Sequence, residues 1–210
     1  MNDKFLKLPE QKQQQLLKAI CEEFTEHSYA DASTNRIVEK AGISKGTLFN
    51  YFGCKEAMYH DLFRYVIEFF KGYAIDEFPT DDFLERCYLL AEKDMKIYYE
   101  APHLLDFFAT IYAADQSQIP ADITATVGIL LTEAMEKLYT GVDYSLFRSD
   151  VDATVLMQMI RYTFDGYLQE VIGKIKTSGL TVANFEEFMV DYRKFLAEAK
   201  KIYYQNGGVP

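Results

Sequence analysis

The sequence predicts an all-α fold of about nine helices, in which a three-helix N-terminal head precedes a larger helical domain. Three observations lead to this prediction. Apolar side chains recur at spacings of three and four residues through most of the chain, which is the period of an amphipathic helix. Proline and glycine fall where one periodic run stops and the next begins. With 210 residues, the chain is also long enough to bury a full core.

The first predicted helix opens at Pro9 and covers residues 10–27. Its apolar side chains, which fall on one face, are Leu16, Leu17, Ile20 and Phe24. We expect this face to cover the two short helices that follow and so to complete the head.

Residues 33–52 are predicted to form two short helices joined by a tight turn. Ser33 or Thr34 can cap the first helix, Gly42 ends it, and Ser44 can cap the second. The second helix keeps a small, polar and cationic set of residues outside its buried side, namely Lys45, Gly46, Thr47, Asn50 and Tyr51. Such a face lets a helix end approach a nucleic acid backbone and its base edges. The segment is therefore a helix-turn-helix candidate.

A hairpin of helices that only packs a core is the alternative interpretation of this segment. It does not require a Lys-Gly-Thr run on the outer face. It also does not explain the local charge, because residues 33–55 carry four basic side chains and one acidic side chain. We therefore favour nucleic-acid binding.

The rest of the chain is also predicted to be helical, with breaks at 78–80 and at Pro102. The remaining predicted helices cover residues 55–71, 81–100, 102–113, 123–139 and 151–175, with a last one from 185 to about 202. The helix over 151–175 is apolar on more than one face, so it needs two surfaces to bury against.

The net charge of −10, with a pI near 4.8, would by itself argue against a polyanionic partner. The distribution of charge reverses this conclusion. Residues 33–55 have a balance of +3, whereas residues 56–210 have a balance of −11. The acidity therefore belongs to the larger domain, and it would orient the basic end toward DNA.

The run RIVEKAGISKGTLFNYFGCKEAMY resembles the N-terminal signature of TetR-type transcriptional regulators. The order of glycines, hydroxyls and aromatic residues matches, in addition to the hydrophobic period. The resemblance is dense over about the first 60 residues. Gly53 and Cys54 depart from it, in the turn before the next helix.

This resemblance implies a helix-turn-helix DNA-binding domain over residues 1–54 and a regulatory, ligand-binding and dimerisation domain over residues 55–210. The residues that it places on double-stranded DNA are Ser33, Thr34, Ser44, Lys45, Thr47, Asn50, Tyr51 and Lys55. Asn50 is the residue best suited to read adenine, and Lys45 can take either guanine or a phosphate.

The resemblance also implies a homodimer, formed by pairing the last two helices with those of a second subunit. The apolar surplus of these helices agrees with that arrangement. The residues expected at the interface are Tyr167, Val171, Phe185, Phe188, Tyr192 and Phe195. A two-fold dimer in turn implies an inverted-repeat operator.

Residues 81–170 are rich in aromatic hydroxyls and thioethers, a mixture that suits an apolar cavity with a few polar anchors. The expected ligand-binding residues are Tyr98, Phe107, Phe108, Tyr112, Met135, Tyr139, Met157, Arg161, Tyr162 and Asp165. A filled core made of the same residues is the alternative. The expected function is that of a repressor, released from its operator by a largely apolar small-molecule effector. Control by a protein partner, or activation without a small-molecule pocket, stays open.

An enzyme is the competing class, and the sequence disfavours it. The three histidines are scattered, and neither a HExxH nor a GxSxG motif is present. Three cysteines without a CxxC pair indicate a reducing compartment and no zinc site, and we expect no cofactor. The N-terminus lacks the apolar core of a signal peptide, and no apolar run is long enough to span a membrane. We therefore expect a cytoplasmic protein.

Overall fold

The structure, a computed structural model, describes residues 1–113, 119–178 and 182–205, and these residues are almost entirely helical. The α-helices of this part of the chain are α1 (Asp3–Leu6), α2 (Glu10–Glu26), α3 (Thr34–Ala41), α4 (Lys45–Phe52), α5 (Lys55–Lys71), α6 (Phe83–Glu100), α7 (Pro102–Ala113), α8 (Ala121–Tyr139), α9 (Ala153–Ser178) and α10 (Val182–Tyr203). A short 3-10 helix covers Tyr144–Leu146.

The predicted breaks between helices lie where the sequence placed them. Gly42 adopts the left-handed conformation (φ 65°) that ends α3, and the amide of Ile43 donates to the carbonyl of Val38 at 3.1 Å. Pro102 begins α7 directly after α6 ends at Glu100. The helix α1 was not predicted, because a four-residue helix has no measurable hydrophobic period.

The described chain folds into two compact units. The first unit contains Met1–Ala74 and Lys96–Ala134, and the second contains Ile75–Met95 and the chain from Met135 onward. The first unit therefore includes α1 to α5 and α7. The predicted functional boundary at residue 54 stays a prediction.

An aromatic cluster joins α2, α5 and α7 in the core of the first unit. The ring of Tyr59 packs edge-on against Phe24, with centroids 4.8 Å apart, and against Phe107, at 5.4 Å. All three side chains are buried. Burial raises the pKa of the Tyr59 hydroxyl to about 12, so this residue stays neutral in the core. The apolar face predicted for the first helix is thus covered by α7 as well as by the head.

The carboxylate of Glu23 in α2 is fully buried and connects α2 to the start of α3. It accepts hydrogen bonds from the backbone amide of Ser33 at 2.7 Å and from Nη2 and Nε of Arg36 at 2.6 and 2.9 Å. Burial alone would raise the pKa of Glu23, but the bonds from Arg36 and Ser33 outweigh it and hold the pKa below its usual value. Ser33 occupies the N-cap position of α3, yet its hydroxyl makes no capping bond. The buried carboxylate accepts the backbone amide of Ser33 itself.

A histidine connects α5 to the beginning of α8 within the same unit. Nδ1 of His60 lies 2.9 Å from the carbonyl of Glu56, and Nε2 lies 3.0 Å from the carboxylate of Asp122. The Glu56 carbonyl and the Asp122 carboxylate raise the pKa of His60 above its usual value, against the opposing effect of burial. Because the folded pKa is raised, this contact stabilises the unit most at acidic pH and weakens as the pH rises through that pKa.

The second unit is organised around the buried guanidinium of Arg86 in α6. It donates to the carbonyls of Thr80 at 2.6 Å, Leu138 at 2.9 Å and Thr140 at 2.6 Å. Two of these acceptors lie where α8 ends, where carbonyls lack partners within the helix and the helix dipole favours a cation. Arg86 therefore holds the start of α6 against the end of α8.

The last helix is fixed to the same end of α6. The Asp82 carboxylate accepts hydrogen bonds from Lys200 at 2.5 Å and from the hydroxyl of Tyr204 at 2.7 Å. The same hydroxyl accepts a bond from the amide of Leu84 at 3.1 Å. Polar contacts thus secure both α8 and the end of α10 to the N-terminus of α6.

We predict that Glu23→Gln lowers the free energy of unfolding of the first unit by roughly 2 kcal/mol at neutral pH, because a charged acceptor of three hydrogen bonds is lost. The folded pKa of Glu23 is depressed. The loss of unfolding free energy relative to wild type should therefore be largest above the unfolded pKa of about 4.3. It should shrink as the pH falls below that value. Urea unfolding followed by circular dichroism at several pH values measures this.

The matched control is Glu22→Gln, at a half-exposed neighbour that lies 3.9 Å from Lys18 and from Lys40. This control should change stability by less than about 0.5 kcal/mol. Equal effects of the two variants would contradict the role given to Glu23.

Candidate nucleic-acid interface

The turn between α3 and α4 is held by local contacts that follow directly from the sequence. Ser44 caps α4, since its hydroxyl accepts the amide of Thr47 at 3.0 Å. The two hydroxyls of Ser44 and Thr47 also lie 2.8 Å apart. Ile37 and Leu48 are fully buried and pack the two helices into the core of the first unit. The helix-turn-helix predicted from residues 33–52 is therefore formed.

The helix α4 contains four of the eight residues that were predicted to contact DNA, namely Lys45, Thr47, Asn50 and Tyr51. Lys45, Gly46 and Asn50 are exposed, and Thr47 is half-buried beside its bond to Ser44. Tyr51 is half-buried, because its ring packs edge-on against Phe5 with centroids 6.0 Å apart. The face presents an ammonium, a hydroxyl and an amide without a carboxylate of its own, which is a suitable surface for phosphates and base edges.

Two of these side chains have partners that the sequence did not indicate. Nζ of Lys45 donates to Oδ1 of Asn35 in α3 at 3.0 Å, so Asn35 lies at the same surface. Oδ1 of Asn50 accepts a hydrogen bond from Nζ of Lys4 at 2.8 Å. Lys4 precedes Asn50 by 46 residues, so no local pattern could have paired them.

Lys55 makes contacts within the head. Its ammonium donates to the carbonyls of Ala30 at 2.9 Å and Ala32 at 3.2 Å, and lies 5.2 Å from the centre of the Tyr29 ring. An ammonium has three donors, so one remains for a phosphate. Lys55 thus fixes the loop between α2 and α3, and its predicted phosphate contact stays a prediction. Ser33 and Thr34 lie at the start of α3 and are half-buried.

The residues predicted to bind a ligand are divided between the two units. In the first unit, Phe107 is fully buried, Phe108 packs edge-on against Phe70 at 5.2 Å, and Tyr98 is half-buried. The second unit contains the other predicted residues whose side chains the structure describes: Met135 and Tyr162 are exposed, Tyr139 stacks on Phe83, Met157 is half-buried, and Arg161 lies over the ring of Tyr162. The side chains of Tyr112 and Asp165 lie outside the described part of the structure.

A cavity of about 150 Å³ lies in the first unit, at the end of α2. Three aromatic side chains, Phe24, Tyr29 and Tyr59, form much of its wall, together with Thr110 and Ile119. No predicted ligand residue that the structure describes lines this cavity. The sequence could not indicate it, because its walls come from residues 24–29 together with three positions far along the chain, Tyr59, Thr110 and Ile119.

Four of the six residues predicted at a dimer interface, Tyr167, Phe188, Tyr192 and Phe195, form an aromatic cluster within the second unit. Tyr167 stacks on Phe195 at 4.2 Å and on Tyr192 at 5.4 Å, and Phe188 stacks on Tyr192 at 5.8 Å. Tyr192 is buried, whereas Val171 is half-buried. The side chain of Phe185 lies outside the described residues. Their predicted role between subunits stays a prediction.

Residues 1–113, 119–178 and 182–205 contain neither a metal site nor a membrane-spanning helix. Within those ranges, no set of histidine, cysteine and acidic side chains is arranged to hold a metal ion. Each helix in the same part of the chain is too short or too polar to traverse a membrane.

Comparison with protein families agrees with the geometry of the head. Residues 16–62 match the model of the bacterial regulatory proteins of the tetR family. This segment contains α3, the turn and α4 together with parts of the two helices that flank them. The resemblance predicted from the sequence is confirmed.

Similarity to known proteins covers most of the chain. The chain is 24% identical over 182 residues to the HTH-type transcriptional repressor AcnR of Corynebacterium glutamicum, covering 82% of this chain and 88% of that protein. A TetR family transcriptional regulator from Chloroflexus aurantiacus has a similar structure, with a TM-score of 0.64, 20% identity and coverage of 98% and 99% of the two chains. A TetR-like transcriptional regulator from Rhodococcus sp. RHA1 has a TM-score of 0.56 and 15% sequence identity. The match covers 89% of this chain and 96% of that one. The predicted all-α fold is confirmed.

We predict that Gly46→Ala weakens DNA binding roughly tenfold, about 1.4 kcal/mol, without loss of stability. A Cβ at Gly46 would meet only the Ser44 hydroxyl at 3.8 Å, an ordinary contact, and alanine favours the helix by about 1 kcal/mol. The added methyl would instead stand between the first turn of α4 and the DNA. Thermal unfolding and fluorescence anisotropy with labelled duplexes measure the two effects.

Gly128→Ala is the control, since Gly128 is also exposed and helical and has nothing within 4 Å of the added Cβ. It should raise stability similarly and leave DNA binding unchanged. If Gly46→Ala binds DNA as tightly as wild type, the first turn of α4 does not lie against DNA.

Proposed function

The chain belongs to the TetR family of bacterial regulatory proteins, and from this premise we propose that it is a sequence-specific repressor. It acts as a homodimer on an inverted-repeat operator and leaves when a small molecule binds. The observation that carries the DNA-binding part is the exposed face of α4, with Lys45, Thr47 and Asn50 presented by a turn that Gly42 and Ser44 fix. The name of the Corynebacterium glutamicum relative supports repression rather than activation.

The two kinds of DNA contact are assigned to different parts of the head. Thr47 and Asn50 face base edges and specify sequence, whereas Ser33, Thr34, Ser44, Tyr51 and Lys55 hold phosphates and fix the register. Lys45 is assigned to either a guanine or a phosphate. The positive balance of residues 33–55 on an acidic chain keeps non-specific binding weak and makes specific binding steeply salt-dependent.

The dimer is proposed to form through α9 and α10, and an exposed apolar face of α9 supports this. Val155, Met159 and Tyr162 follow each other at spacings of four and three, and their exposed fractions are 48%, 49% and 58%. Leu156 and Ile160 on the other side of α9 are buried. A helix with apolar side chains on both sides requires a second surface, and a second copy of α9 provides one.

The effector is proposed to be small and largely apolar, and the cavity at the end of α2 supports a link between a ligand and the DNA-binding face. Tyr29 contributes to the cavity wall and also lies under the ammonium of Lys55. A molecule that displaces Tyr29 would change the loop that leads into α3. It would release DNA only if it binds one arrangement of the head more tightly than the other. Native mass spectrometry of the purified dimer detects a retained molecule, and its absence across repeated preparations favours control by a protein partner.

We predict that Asn50→Ala costs about 1 to 3 kcal/mol of operator binding and relaxes preference at one base pair in each half-site. Lys45→Ala shows whether Lys45 contacts a phosphate or a guanine. Loss of a phosphate contact weakens binding to every DNA sequence equally, whereas loss of a guanine contact weakens binding mainly to sequences that carry that guanine. Anisotropy titrations with duplexes from the upstream region of the protein's own gene measure both. The control is Lys71→Ala, at the far end of α5, where Lys71 pairs with Glu68 at 2.5 Å. Unchanged binding by both head variants would contradict the assigned DNA-binding face.

We predict that the protein in solution has a mass of about twice the 24.3 kDa of one chain. Met159→Lys should reduce this mass to that of a single chain. Met159 is half exposed, so a charge there should leave the helical content of each subunit intact. Light scattering and circular dichroism report the two properties. The control is Leu6→Lys, at an apolar residue of the head that is somewhat more exposed than Met159, and this variant should remain dimeric. A dimeric Met159→Lys variant would remove this face of α9 from the interface.

A further inference from the structure

The N-terminal segment is attached to the end of α4, the helix proposed to enter the DNA groove. The backbone amide and the side-chain amide of Asn2 donate to the carbonyls of Tyr51 at 3.3 Å and Asn50 at 2.6 Å. These carbonyls belong to the last turn of α4 and have no partner within the helix. Phe5 is buried and packs against Phe52 at 5.3 Å. The segment therefore holds a fixed position on α4.

This attachment places the ammonium of Lys4 beside the side chain of Asn50. Nζ of Lys4 donates to Oδ1 of Asn50 at 2.8 Å, and both side chains are exposed. A lysine ammonium only donates, so the amide must turn its oxygen toward Lys4 and its NH₂ group away. Lys4 forms none of the ion pairs found among the described residues, so its other two N–H groups remain available.

We propose that Lys4 and Asn50 read one base pair together and that the base they select is guanine. This inference rests on the proposed function, which places Asn50 in the major groove. A lone asparagine offers one acceptor and one donor, which match N6 and N7 of adenine. The pair offers two adjacent donors, the Lys4 ammonium and the Asn50 amide. Two donors match O6 and N7 of guanine, which are both acceptors, and they do not match the N6 amino group of adenine.

Lys4 thereby determines specificity from outside the helix-turn-helix. Its bond occupies one of the two lone pairs of Oδ1 of Asn50 and places a cationic donor beside that oxygen. The ammonium favours an acceptor on the base over the N6 amino group of adenine. Asn50 without Lys4 would return to the adenine preference that its own chemistry favours. The base read by α4 thus depends on a residue 46 positions earlier in the chain.

The experiment is a selection from a randomised DNA duplex pool, followed by sequencing, with the full-length dimer of wild type and of each variant. Wild type should select guanine at the position where Asn50→Ala loses its preference. Lys4→Ala should shift that position toward adenine and bind the wild-type duplex about tenfold more weakly. Lys4→Arg, which keeps two donors, should retain guanine. The double variant should lose its preference at that position to the same extent as Asn50→Ala, because Lys4 acts there together with Asn50.

The control is Lys7→Ala, at an exposed lysine three residues further along. It should leave the selected base unchanged. A Lys4→Ala variant that selects the same bases as wild type, with affinity reduced equally for all duplexes, would overturn the proposal and reduce Lys4 to a phosphate contact. Selection of adenine by wild type would overturn it also. If Asn50→Ala keeps every base preference of wild type, the proposed function is wrong in placing Asn50 against a base. This outcome differs from the two above, which reject only the joint role of Lys4 and Asn50.

Discussion

The geometry of the head depends on the buried carboxylate of Glu23. It fixes the first amide of α3 and the guanidinium of Arg36 at the same point, and Arg36 also donates to the carbonyl of Asp31 at 3.0 Å. Lys55 holds the same loop through two further carbonyls. Since α4 follows α3 through a tight turn, the direction of the exposed face of α4 follows from where α3 begins. The buried Glu23 carboxylate thus influences the direction of the exposed face of α4 without being part of that face.

In the second unit a buried cation, Arg86, connects helix ends as the Glu23 carboxylate does in the first unit. Arg86 is a buried cation surrounded by carbonyl oxygens, three of which lie at or just beyond the end of α8. Both Glu23 and Arg86 satisfy backbone groups at a helix end, where the helix leaves them without partners. The signs agree with the helix dipole, since the acid lies at an N-terminus and the base at a C-terminus. In each unit a buried charge thus connects two helix ends, those of α2 and α3 in the first unit and those of α6 and α8 in the second.

The parts of the structure that could be predicted from the sequence are those set by local chemistry. Gly42, Ser44 and Pro102 act within a few residues of themselves, so the turn and the break before α7 follow from residue type. Glu23 lies among apolar neighbours of α2, and that position was the one available signal that its charge is buried. Lys4 and Arg86 act across 46 and more than 50 residues, where no spacing rule applies. The dual use of Lys55, whose ammonium binds loop carbonyls, was missed for the same reason.

The exposure of the side chains on α4 has a consequence for how such a regulator diverges in evolution. Lys45 and Asn50 contribute little to the core, so after gene duplication they can be exchanged without unfolding the head. Glu23 and Gly42 do not have this freedom, because substitutions there disturb the scaffold. For the proposed DNA-binding face, operator preference can therefore change while the frame of the head stays the same. Through the proposed pairing of Lys4 with Asn50, the N-terminal segment gives a duplicated copy a second position at which its target can change.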